Sequence, residues 1–261
     1  MNQNSLLYEN MNYLSTYPFI INNYIREYDL SAANINALYT NGYFDKSTYD
    51  LFKSYDKKKR EIEIGLLIKR DSRVYEIISS EIINAKKLLF ESNNIQDNEV
   101  LTIKNDAVFI ISKELVNTVF GNYEFKCKNL YNTYLRILDL EIYYRDSLNS
   151  DDIFFDIKGI SDDKMYLHTA MVSLISEVCY RVQRYDKSDN IRFIMNIYEN
   201  FLHRRLPIGY YRNLDSFSKY TIINNIGIYS LDNISNDMIN IINIDRNLSI
   251  LRELIWIISS M

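Results

Sequence analysis

The chain opens with an extended run, from about Tyr24 to Tyr28, that leads into Asp29. Ser31 can cap a helix through AANINALYTN, because a serine hydroxyl at a helix start accepts from an amide with no partner inside the helix. Gly42 closes that helix, since glycine adopts the left-handed conformation of a C-terminal stop. Asp45 is placed to cap KSTYDLFKSY, and the basic cluster Lys57, Lys58, Lys59 and Arg60 opens a helical stretch containing IEIGLLIKR. From about Ser72, Val74, Ile77, Ile78, Ile82, Ala85 and Leu89 recur at helical spacing until Ser92-Asn93-Asn94 ends the run.

The period then changes. VLTI and AVFII flank Lys104-Asn105-Asp106, which predicts a hairpin with a polar tip. Alternation from Tyr123 to Tyr144 predicts two or three strands, and IFFDIKGI one more. Helical pattern resumes after Ser161 and runs to about Leu206, where Pro207 interrupts it. KYTIINN and GIYSL form an expected strand pair before a last apolar helix with Trp256 in its core face. No internal repeat or Pro/Ser-rich linker is present. The expected class is α+β, one compact body with a helical extension.

Composition narrows this. With 2 prolines and 6 glycines the chain has few turn residues for a sandwich or barrel, which favours long helices joined to a modest sheet. The 23 tyrosines accompany abundant Ile, Asn and Lys, all with A/T-rich codons, so they point to an A/T-rich genome, a viral or phage one among others, before any stacking role. The net charge of −4 confines any basic surface to a local patch. Cys127 and Cys179 are isolated and read as buried thiols of a reducing compartment. His168 and His203 have no evident acid or nucleophile beside them and read as structural. No apolar run spans a bilayer and no basic-then-apolar leader opens the chain, so the expectation is a soluble protein without a membrane partner, in the host cytoplasm if viral.

Two aspartates carry the chemical reading. Asp29 ends a strand and Asp106 sits at a hairpin tip. Carboxylates at neighbouring strand ends can converge on Mg²⁺, which takes hard oxygen ligands and is held by one or two carboxylates plus substrate phosphates. Two such ions, about 4 Å apart, serve in-line displacement at phosphorus. Between the aspartates lie Lys57, Arg60, Lys69 and their basic neighbours, able to offset charge on a transferring phosphoryl group.

EYDLSAANI resembles motif A of template-directed polymerases, where a metal-binding Asp follows a strand. TIKNDAVFI is similar to the motif C hairpin of family B DNA polymerases, YxDTDSxF, with Asp106 on the second Asp and Lys104 on the first. DIKGISDDK resembles the KKG-like segment that contacts primer–template backbone. The resemblance covers about Asn23 to Lys164. It implies a polymerase-like palm with an antiparallel sheet over residues 1–165, a short helical fingers insert at about 43–95, and a helical thumb-like part over 166–261 with a terminal hairpin and helix. Asp29 and Asp106 would be catalytic and hold two Mg²⁺, with Mn²⁺ as substitute. Arg60, Lys69 and Lys57 would bind the nucleoside triphosphate, Asn34 would stand near the sugar-screening position, and Lys158, Gly159 and Lys104 would meet the nucleic acid primer–template. The implied activity is template-directed nucleotidyl transfer, as a fragment or subunit of a viral replication enzyme beside other replication subunits. The other reading is a non-enzymatic viral or phage binding or structural module, including an inactive polymerase-like scaffold; Lys104 in the place of an acid speaks for it.

Overall fold

The computed structural model describes residues 7–111, 113–146, 153–160, 168–211, 221–223, 227–229 and 245–261. They form an α+β protein whose strand pairs are antiparallel. Two compact units share the chain: Met1–Thr16 with Tyr24–Leu130, and Tyr17–Asn23 with Tyr131–Met261. The division is not sequential because two long strands, β2 (Phe19–Leu30) and β6 (Tyr123–Ile137), each contribute residues to both.

The first unit also holds β1 (Asn12–Leu14), α1 (Ala33–Thr40), α2 (Lys46–Ser54), α3 (Lys57–Arg70), α4 (Arg73–Asn93), β3 (Val100–Lys104), β4 (Ala107–Ile111) and β5 (Val119–Phe120). Its strands lie in the order β1-β3-β4-β2-β6, with β5 on β6. The helical stripe seen in the sequence is the buried face of α4: Val74, Ile78, Ile82, Ala85 and Leu89 share a core with Tyr28, Leu30, Ile103, Val108 and Ile110. Full burial of such an aliphatic side chain contributes roughly 1.5–3 kcal/mol, so this stripe is what fastens α4 to the sheet.

Helix boundaries follow local chemistry. Asp45 Oδ1 accepts from Thr48 N at 2.7 Å, and Asp56 caps α3 in the same way through Lys59 N at 2.9 Å. Gly42, at φ +82°, closes α1 as expected. Ser31 does not cap it. Its amide still follows the strand, donating to Glu124 O at 2.8 Å, and the helix starts past Ala32, which stands at φ +50° without a side-chain cap. At the tip of the β3–β4 hairpin Lys104 pairs with Ala107, which leaves Asn105 and Asp106 as a two-residue turn. Asn105 takes φ +53°, a conformation asparagine tolerates better than most residues.

In the second unit the last residues of β6 pair with β7 (Leu140–Arg145), and β7 pairs with β8 (Phe154–Lys158). Three helices follow: α5 (Thr169–Val182), α6 (Lys187–Leu202) and, after the pair β9 (Thr221–Ile223) and β10 (Gly227–Tyr229), α7 (Asp245–Ser260). Leu135, Ile142 and Ile157 of the strands share a core with Ile175, Ile194 and Leu254 of the helices. The helix start expected just after Ser161 lies outside the described residues. Trp256 is 49% exposed rather than buried, because Ile250, Leu251, Leu254, Ile257 and Ile258 take the inner face of α7. Cys179 is buried as expected but Cys127 is exposed, since the buried positions at the start of β6 stop at Phe125. His168 is buried at the start of α5.

Gly159 has a structural task. It stands at φ +105°, and a Cβ there would lie 3.2 Å from Leu140 Cδ2 and 3.3 Å from Asp139 O. Gly159→Ala is expected to lower stability by about 1–3 kcal/mol, read as an earlier urea midpoint with an unchanged slope.

Candidate functional site

The pairing of β2 with β4 brings the two aspartates of the sequence reading to one place. Asp29 stands opposite Ala107, and Leu30 N donates to Asp106 O at 3.1 Å. Both acids line a cavity of about 480 Å³ inside the first unit. That size lies within the roughly 300–1,000 Å³ of small-molecule sites. Asn34 from α1, Lys57 and Arg60 from the first turn of α3, and Lys128 from β6 line it as well. Ile35, Ile78 and Ile82 supply an apolar wall.

The acids feel each other. Burial pushes the Asp106 carboxyl above the ordinary carboxylate range, and the negative charge of Asp29 pushes it further; the backbone, Lys128 and Lys57 pull the other way. The flanking cations are themselves held. Lys57 Nζ lies 3.8 Å from Glu61 Oε1, one turn along α3. Lys128 Nζ lies 3.5 Å from Glu27 Oε1, a carboxylate that also accepts from Asn129 Nδ2 at 2.6 Å.

Outside the cavity lining, one turn beyond Ile82 on the buried face of α4, is Lys86, which is 0% exposed. Its Nζ donates to Asn10 O and lies 3.9 Å from Met11 Sδ. Burial pushes it down to about 8, against the pull of Asp106. The sequence held a sign of it: Lys86 follows Ile82 by four positions, on the core-facing stripe of α4. Lys128 had no such sign, because only the pairing of β6 in the sheet brings it near Asp106.

The donor set suits a hard cation. It offers carboxylate oxygens, and the half-buried Asp106 beside Asp29 gains from a positive charge near them. Among the described residues no group of three or more His, Cys, Asp or Glu gathers to hold a metal, so remaining ligands would come from water and substrate.

The other residues named from the sequence lie elsewhere. Lys69 is exposed on the last turn of α3; its neighbour Ile68 lines the cavity and Lys69 does not. Lys104 stands at the base of the hairpin, paired with Asn12 and Ala107, and is also not part of the lining. Lys158 belongs to the second unit, where its Nζ lies 2.6 Å from Asp156 Oδ2.

The raised Asp106 carboxyl sets a sign for stability. The folded chain binds this proton more tightly than the unfolded chain, so stability falls as pH rises through the carboxylate range. Asp106→Asn is therefore expected to raise Tm by a few degrees at neutral pH, with the gain vanishing in acid where both states carry the proton. Thermal melts from acid to neutral pH check it; a variant less stable than wild type at neutral pH contradicts it.

Among the described residues no helix is long and apolar enough to cross a membrane. No curated protein matches the chain. Residues 1–260 match a family model described as Bacteriophage PBS1 gene 130 protein. The match covers all but the last residue, and the chain belongs to this family of phage proteins.

Proposed function

We propose that the first unit carries out divalent-metal-dependent nucleotidyl transfer, moving a nucleotide from a triphosphate to a nucleic-acid 3′-hydroxyl. The observation that carries this reading is the meeting of Asp29 and Asp106 in one cavity, with Lys57, Arg60 and Lys128 on its walls. The order of elements supports it. The helices α1 to α4 lie between the strand bearing Asp29 and the hairpin bearing Asp106, as a fingers insert does in a polymerase-like palm.

The roles follow from the charges. Asp29 and Asp106 would hold Mg²⁺ or Mn²⁺, and the bound ion would supply Lewis-acid activation of the hydroxyl and charge compensation for the pyrophosphate. Lys57 and Arg60, one turn apart on α3, face the triphosphate, and Glu61 fixes Lys57 in place. Asn34 offers its amide to the sugar. Ile35, Ile78 and Ile82 keep water from one side, which strengthens each of these contacts. Lys69, Lys104, Lys158 and Gly159 carry no step, and primer–template is the partner this chemistry requires.

One observation favours a second reading, a module that kept the pocket without the chemistry: motif C has Lys104 where the first acid belongs, and no third carboxylate joins the pair among the described residues. Primer extension with labelled nucleotides and Mg²⁺ or Mn²⁺ decides. Asp29→Asn and Asp106→Asn are expected to slow extension on the order of 10²-fold or more. Mg²⁺ with nucleotide at about 100 times Kd is expected to stabilise wild type by about 2.7 kcal/mol and either variant far less. Extension that is the same in all three proteins rejects the catalytic reading. Nucleotide binding without extension selects the module.

A further inference from the structure

Lys86 calls for a reason to exist where it does. A fully buried lysine is rare, because taking an ammonium out of water is expensive unless a partner compensates it. Among the described residues no carboxylate is in ion-pair contact with Lys86; its Nζ meets a backbone oxygen, Asn10 O, and the Met11 sulfur. A methionine or leucine would fill the same space without the desolvation. What a hydrocarbon would lack is the charge and the hydrogen bond to Asn10 O.

The place of that charge is well defined. Ile78 and Ile82 of α4 form the cavity wall, and Lys86 follows Ile82 by one helical turn on the same face. Met11, against the Lys86 ammonium, also lines the cavity, and Met11 O accepts from Asn105 N at 2.6 Å, the residue before Asp106. Lys86 and Asp106 are close enough for the ammonium to feel the carboxylate. The buried positive charge thus lies against Met11, one of the cavity's lining residues, and within electrostatic reach of Asp106.

We propose that the Lys86 ammonium is the resident counter-ion of Asp106, partly neutralising it and thereby weakening the hold of the Asp29–Asp106 pair on a free divalent cation. This rests on the reading that the pair binds metal. Between charges in a partly dry site the interaction is strong, and a divalent ion is repelled by Lys86 twice as hard as a monovalent one at the same point.

The test is Mn²⁺ titration by calorimetry on the full chain, comparing wild type, Lys86→Gln, Lys86→Met and Asp106→Asn, with the fold of each checked by circular dichroism. Lys86→Gln keeps a donor for Asn10 O and removes only the charge; Lys86→Met removes both. Both are expected to bind Mn²⁺ at least tenfold more tightly than wild type, and Asp106→Asn to lose binding. If Lys86→Gln folds and binds Mn²⁺ equally or more weakly while wild type binding still depends on Asp106, the counter-ion proposal is overturned, Lys86 is a brace for the Asn10–Met11 segment, and the metal reading stands. If no folded variant and no wild type sample binds Mn²⁺, the metal reading falls and the proposal with it.

Discussion

The register of β2 against β4 is the constraint on which the site depends. Asp29 opposite Ala107, with Leu30 N on Asp106 O, puts two acids far apart in sequence on one cavity. A strand alternates its side chains between two faces, so a slip of a single residue would send Asp29 to the other face and dissolve the pair. Two features resist such a slip. Tyr28, Leu30, Val108 and Ile110 are buried in the core beneath α4, and the Asn105–Asp106 turn fixes how β3 meets β4. The packing that holds the fold together is therefore the same packing that aligns the carboxylates.

The site is bought with local instability. Burial and the neighbouring Asp29 both disfavour the ionised form of Asp106, and Lys86 is buried without an ion-pair contact among the described residues. A chain selected for stability alone would place apolar residues at these positions. Local choices that disagree with the rest of a fold mark places where something other than folding is served. Here Asp106 lines the cavity and Lys86 stands close by on α4, while Val74, Ile78, Ile82 and Leu89 of the same stripe are ordinary core.

Much of this was legible in the sequence, and the reasons differ from element to element. The α4 stripe, the Asp45 cap, the Gly42 stop and the polar hairpin are set by residues close together along the chain, so periodicity and capping chemistry expose them. Asp29, Asp106, Lys57 and Arg60 follow from their order along the chain and Asn34 from the polymerase resemblance; all five line the cavity, and Lys69, Lys104 and Lys158 do not. Ser31 misled because its amide belongs to the ladder with β6, a long-range pairing that no local pattern reveals. The same kind of pairing hid Lys128 and the sharing of β2 and β6 by two units. Trp256 and Cys127 misled for a simpler reason: residue type says what a side chain prefers, but helix phase and the end of a buried strand face decide where it goes.

The charge around the cavity argues against reading the site as a general basic patch. Lys57, Arg60, Lys128 and Lys86 stand against Asp29, Asp106, Glu61 and Glu27, so the set is balanced in a chain whose net charge is −4. A balanced set attracts neither bare cations nor bare anions from a distance. It can still recognise a ligand whose own charges are separated, because opposite parts of such a ligand meet opposite parts of the wall. The acids come from strand ends and the exposed cations from the first turn of α3 and from β6, on different elements, and that separation supplies the pattern. What the cavity presents is therefore a pattern of charges whose relative places the sheet register fixes, and not their sum.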